Sequence, residues 1–198
     1  MIGIALNTIV EELNAFFTTR TGNTDVVVLD NLLTQTGAIT TGVDGHIVAS
    51  LMNLEEDRIS RPLDIYRKQA NGRVETVNPE IRLNLYILFI ANFVRTTVNT
   101  DGYQDGLTTL SNVVRFFQKK PYFNHSNTPG LDTNIEKLVI ELYTLSFEQT
   151  NHLWGSLGAK YMPSVMYKVR LVSLQENELI SEGPPITEID INSSDSNL

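Results

Sequence analysis

The chain opens on a helical pattern: Ile2, Leu6, Ile9, Leu13 and Phe16 recur at alternating spacings of three and four, which sets them on one stripe of an α-helix whose other face is polar. Thr21-Gly22-Asn23 ends it, and Asp25-Val-Val-Val-Leu29 follows as a short β-branched strand. The Thr- and Gly-rich text from Asn31 to Gly45 reads as a loop. From His46 to Leu54 the period changes to two, with Ile47, Ala49 and Leu51 on one face and Val48, Ser50 and Met52 on the other. Ile81 to Asn92 is the clearest strand: Ile81, Leu83, Leu85, Ile87 and Phe89 share a face opposite Arg82, Asn84 and Tyr86, and it is expected centrally in a sheet. Helical spacing returns at Leu107, Leu110, Val113, Val114 and Phe117, with Lys119-Lys120 as terminal cations and Pro121 as a stop. Tyr122 to Gly130 reads as a connection. Lys137 to Ser146 fits either period, and its β-branched and aromatic content, with Leu138, Ile140 and Leu142 in alternation, favours a strand. Phe147 to Ala159 reads as a short helix presenting Phe147, Leu153 or Trp154, and Leu157, and Val165 to Leu174 as a last alternating strand.

This order predicts an α+β (mixed α/β) fold, one sheet of four or five strands covered by two or three helices. Glu55 to Glu80 interrupts it with 11 charges in 26 residues and with Pro62, Asn71-Gly72 and Pro79, so an exposed excursion is expected there, with a hairpin around Asn71-Gly72. Charge separates two regions. Residues 175–198 carry six acids and no base, leaving 15 bases against 17 acids in residues 1–174, so a nearly neutral folded body precedes an acidic tail. A chain of this balance is not built for nucleic-acid binding by phosphate neutralisation.

Candidate chemistry is sparse. The absence of cysteine rules out disulfides, thiolate metal sites and a cysteine nucleophile. The most apolar run, Leu85 to Ala91, is far shorter than the roughly 20 residues of a membrane span, and Met1 to Phe17 lacks the basic start of a signal peptide, so no direct membrane insertion is expected. His46, His125 and His152 are not accompanied by the several converging ligands that a metal site needs. Ser126, beside His125 and near Asp132, lacks a nucleophile elbow, and no glycine pattern matches a phosphate loop. Glu55-Glu56-Asp57 beside Arg58 and Arg61 reads as a solvated charged loop. No catalytic residue, cofactor or metal is expected.

What is specific is the wording of the chain from Lys137 to Arg170, Lys137-Leu-Val-Ile-Glu-Leu-Tyr-Thr-Leu-Ser-Phe-Glu-Gln-Thr-Asn-His-Leu-Trp-Gly-Ser-Leu-Gly-Ala-Lys-Tyr-Met-Pro-Ser-Val-Met-Tyr-Lys-Val-Arg170. With Glu12-Leu13-Asn14, Ser50-Leu-Met-Asn-Leu-Glu-Glu-Asp-Arg58, Leu83 to Phe93 and Val114 to Phe123, it resembles the tail-terminator (cap) proteins of extracellular contractile injection systems, typified by the antifeeding prophage and the Photorhabdus virulence cassettes. The resemblance covers residues 1 to about 174, and implies a tail-terminator-like domain at 1–174 followed by the acidic tail at 175–198. It implies a structural protein, not an enzyme: a homohexameric ring that ends the inner tube and sheath away from the baseplate and holds sheath to tube. Its partners are then further copies of itself, the sheath protein and the inner tube protein, with no nucleic acid. It would assemble in the bacterial cytoplasm as part of a phage-tail-like particle that can be released. The alternatives are a small cytoplasmic enzyme of unrecognised type and another phage-tail ring component. A closed ring needs two different complementary patches on each subunit. The expected assembly residues are Phe116, Tyr122 and Trp154 as aromatic anchors, Arg58 and Arg61 in the charged excursion, and Ile189 and Ile191 as a strand that could dock on a neighbour's sheet edge.

Overall fold

The computed structural model describes residues 1–57, 66–68, 74–76, 82–93, 101–173 and 181–183. The opening stripe forms helix α1 (Ile2–Thr21), closed by Gly22 at φ 76°, a left-handed conformation that glycine adopts freely, while its N–H donates to Thr18 C=O. Three strands follow as β1 (Val27–Leu29), β2 (His46–Glu56), and, beyond a short hairpin, β5 (Arg82–Asn92). The hairpin is β3 (Tyr66–Lys68) against β4 (Val74–Thr76), with Lys68 opposite Val74, as expected for a turn around Asn71-Gly72; those two residues lie outside the described ones. The second half runs α2 (Gly102–Lys119), β6 (Tyr122–Asn124), β7 (Ile135–Tyr143), α3 (Phe147–Leu157), β8 (Ser164–Ser173) and β9 (Ser181–Gly183).

The main sheet has six strands in the order β1-β2-β5-β8-β7-β6, antiparallel except for the β1–β2 pair. β5 lies inside it, as its two-sided burial demands. All five sequence-predicted strands are present. The sixth, β6, falls in the segment read as a connection: Pro121 and the Asn-rich text hide a three-residue strand that exists because β7 pairs with it. β9 lies within the expected acidic tail and pairs with β4.

The alternation of the strands decides which layer covers which face. Ile47, Ala49, Leu85, Ile87, Phe89, Leu138, Val169 and Leu171 point to one face, where α1 and α2 complete the larger core. Val48, Leu88, Ile90 and Met166 point to the other, where Trp154 of α3 and Leu32 and Val43 of the 30–45 loop form a smaller second cluster. α2 closes on the sheet through Gly106, where a Cβ would meet the Phe93 ring at 3.2 Å. No helix among the described residues is long and apolar enough to cross a membrane.

Candidate assembly surfaces

The expected aromatic anchors separate on inspection. Phe116 is only 5% exposed and packs against Phe16, Phe117 and Phe123, with ring centroids at 5.3, 5.2 and 6.2 Å. It is a core residue, because α2 is wedged between the sheet and α1 and so buries two sides. Trp154 is likewise core, 4% exposed, and holds α3 to the sheet. Tyr122 alone is on the surface, at 42% exposure, with Lys137 Nζ 4.9 Å from its ring centroid. Arg58, Arg61, Ile189 and Ile191 lie outside the described residues.

The structure adds surface features that the sequence reading does not contain. Phe147, expected on the packed side of α3, is 97% exposed. It follows Ser146, whose hydroxyl accepts from Gln149 N–H while the Gln149 side chain accepts from Ser146 N–H, a reciprocal cap that fixes the helix start and leaves Phe147 at its outermost position. Leu142 and Tyr161 are also exposed, and with Tyr143, Leu145, Trp154 and Met166 they surround a cleft of about 290 Å³. The serine-to-glutamine spacing was available in the sequence as a helix start. The exposure of Phe147 was not.

Beyond α3, the second face of the sheet is open and polar. Tyr86 stands opposite Lys168, and Lys168 opposite Glu141; one register step on, Asn84 stands opposite Arg170. Tyr86 donates its hydroxyl to Glu55 Oε2 at 2.8 Å, its ring meets that of Tyr143 edge-on at 5.0 Å, and Arg170 pairs with Glu141. These groups are cross-strand neighbours whose chemistry is mutual: each charge has an opposite sign beside it. Among the described residues no group of three His, Cys, Asp or Glu side chains could hold a metal ion.

Two tyrosines on the sheet titrate late. Burial, helped by the hydrogen bond to Glu55 and its negative charge, pushes Tyr86 up to about 12, and burial alone pushes Tyr167 up to about 12. Unfolded tyrosine loses its proton near 10, so the folded chain retains protons that the unfolded chain gives up. The stability these groups contribute is therefore intact below about pH 10 and is lost as pH rises from about 10 to about 12. A tyrosinate absorbance titration is expected to show a late phase near pH 12, coinciding with a falling unfolding midpoint; seven tyrosines titrating together near 10 would contradict it.

Comparison with known proteins decides the lineage. The sequence profile of the Pvc16 N-terminal domain matches residues 5–188. The chain belongs to that family. The Pvc16 N-terminal domain match begins within α1 and runs past β9, so it includes the whole main sheet, both helical layers and every exposed aromatic named above, and stops just short of Ile189. Two solved structures share the fold of this family member. One is the PVC sheath/tube terminator of an extracellular contractile injection system in its extended state, with 15% identity, a TM-score of 0.65, and coverage of 98% of this chain and 64% of that one. The other is the tube-terminating cap of the anti-feeding prophage, with 14% identity, a TM-score of 0.57, and coverage of 96% and 59%. The chain thus spans less than two thirds of the length of either protein. No curated protein matches it by sequence.

Proposed function

We propose that this chain is the structural cap of a contractile injection system, a ring of six copies that ends the inner tube and sheath at the end away from the baseplate and holds one to the other. The observation that carries this reading is the family match over residues 5–188, joined to a fold shared along nearly the whole chain with a sheath/tube terminator and a tube-terminating cap. Its role is then mechanical rather than catalytic, and its partners are its own copies, the sheath protein and the tube protein. It assembles with the particle in the bacterial cytoplasm, and the particle can be released.

The surface is consistent with that role. A ring of identical subunits needs two unlike patches, and the surface carries two that differ: Tyr122 with Lys137 on β6 and β7, and Leu142 and Tyr161 around the cleft beside α3, with Phe147 exposed at the start of that helix. Arg58 and Arg61 are proposed to meet sheath or tube through complementary charge, which sets register more than affinity. Ile189 and Ile191 are proposed to dock as a strand on a neighbouring subunit.

Particles from a strain lacking this chain test the proposal. Over-long or frayed tubes and sheaths are expected in electron micrographs. Particles of normal length and intact ends would overturn it, and normal ends with missing baseplates would move the chain to the other end of the particle.

A further inference from the structure

A side-chain amide covers part of each edge of the six-stranded sheet. An edge strand ordinarily leaves a row of N–H and C=O groups facing outward, a template on which another chain can add a strand. In β1, Val26 C=O accepts from Ile47 N–H at 2.9 Å and Asp30 N–H donates to Ala49 C=O at 3.2 Å, so Val26, Val28 and Asp30 face β2, and Val27 and Leu29 face outward. The outward groups of Val27 are taken. Asn14, about two turns before the end of α1, accepts from Val27 N–H at 2.9 Å and from Val26 N–H at 2.9 Å through Oδ1, and donates from Nδ2 to Val27 C=O at 2.8 Å.

The opposite edge repeats the arrangement with different elements. Ile140 N–H donates to Pro121 C=O at 2.8 Å, which turns Pro121 and Phe123 toward β7 and leaves Tyr122 and Asn124 facing outward. Asn127 donates from Nδ2 to Tyr122 C=O at 3.0 Å and accepts from Asn124 N–H at 3.0 Å through Oδ1. The remaining outward carbonyl, that of Asn124, accepts from Thr128 N–H at 2.8 Å. Asn127 is itself held: Thr128, 2% exposed, donates its hydroxyl to Oδ1 at 3.0 Å, and Lys120, paired with Glu12 of α1, donates to Asn127 C=O at 3.1 Å.

A primary amide holds an N–H donor group and a C=O acceptor side by side on one carbon, matching the N–H and C=O that a neighbouring strand would present, and it ends the ladder because nothing follows it. We propose that Asn14 and Asn127 are edge-closing residues, each standing in for one more strand, which prevent this chain from extending its sheet through β1 or β6. Contacts between copies are thereby directed to side-chain surfaces. Strand addition to this sheet is then left, among the described residues, to Leu29 at the end of β1 and to the stretches where the longer strands outrun their short neighbours, β2 beyond Ala49 and β7 beyond Ile140.

The test uses the full chain in solution and does not depend on the cap reading. Asn14→Ala and Asn127→Ala remove each amide, and Asn14→Asp keeps the acceptor while removing the donor to Val27 C=O. Asn127 lies in a turn, so its variant leaves α1 intact should the helix variant fail to fold. The alanine variants, with circular dichroism and Trp154 fluorescence like those of the parent, are expected to form concentration-dependent species larger than the parent forms. Amide exchange at Val27 or Asn124 should rise about tenfold in dilute solution, the equivalent of one net hydrogen bond, and become protected again in the larger species. Asn14→Asp should fall between. Folded variants with the parent's mass at every concentration would overturn the proposal, as would new association that leaves the Val27 and Asn124 amides unprotected.

Discussion

Replacing Phe89 by alanine is expected to lower the free energy of unfolding by about 3–5 kcal/mol, a large share of the roughly 5–15 kcal/mol that a domain of this kind possesses. Phe89 is fully buried in the central strand β5, on the face covered by the helices, with its ring 5.4 Å from that of Phe117 and 5.9 Å from that of Tyr167. Its neighbours in the register, Ala49 of β2 on one side and Val165 of β8 on the other, are backbone-tethered in the sheet and have little freedom to close the gap. The lost contacts and the cavity both count, so the high end of the range is expected. Denaturant unfolding measures it: the midpoint should fall with an unchanged slope. A loss below about 1 kcal/mol would mean that the ring is not where the core needs it.

The second large effect separates packing from hydrogen bonding at Trp154. Trp154→Ala should cost about 3–5 kcal/mol, because the indole is 4% exposed and fills the centre of the smaller cluster with Leu32, Val48, Leu88, Ile90 and Met166. Its Nε1 is buried without a hydrogen-bond partner, so Trp154→Phe removes volume but breaks no bond, and should cost about 1–2 kcal/mol. α3 is the element at risk. Hydrogen exchange in Phe147–Leu157 should accelerate in Trp154→Ala before that in β5, since α3 covers only the second face. Equal losses for the two variants would assign the indole N–H a role that the structure does not give it.

The sequence made the sheet legible where the strands are long enough to display a period of two or a sustained run of β-branched and aromatic residues, as in β2, β5 and β8, because packing against the layers on the sheet then imposes the pattern. It was silent where the partner decides. Tyr122–Asn124 is too short to display a period, and becomes a strand only when Val139 and Leu138 lie beside it. Phe116 and Phe117 are adjacent, so a single buried stripe admits one of them; both are buried because α1 supplies a second packing surface through Phe16. Phe147 lies on the same side of a helical wheel as Trp154, seven residues on, but it sits in the first turn and is exposed to solvent. Asn14 and Asn127 read as an ordinary polar helix residue and an ordinary loop residue. Asn14 bonds main chain 12 and 13 residues away, which no pattern of side chains records. The family was legible for a different reason: specific wording from Lys137 to Arg170, rather than periodicity, carried it.

The acidic balance of the chain also changes meaning. The formal charge of −8 belongs mostly to residues 175–198, while on the sheet's second face Arg170 pairs with Glu141 and Glu55 accepts a hydrogen bond from Tyr86. A body of that kind associates through shape and aromatic surface more than through long-range attraction.

The central claim is a position, and electron microscopy of purified particles carrying a label on this chain reads it directly. The account predicts one ring of label per particle, at the end of the tube and sheath away from the baseplate. Label distributed along the shaft, placed at the baseplate, or absent from intact particles would contradict it.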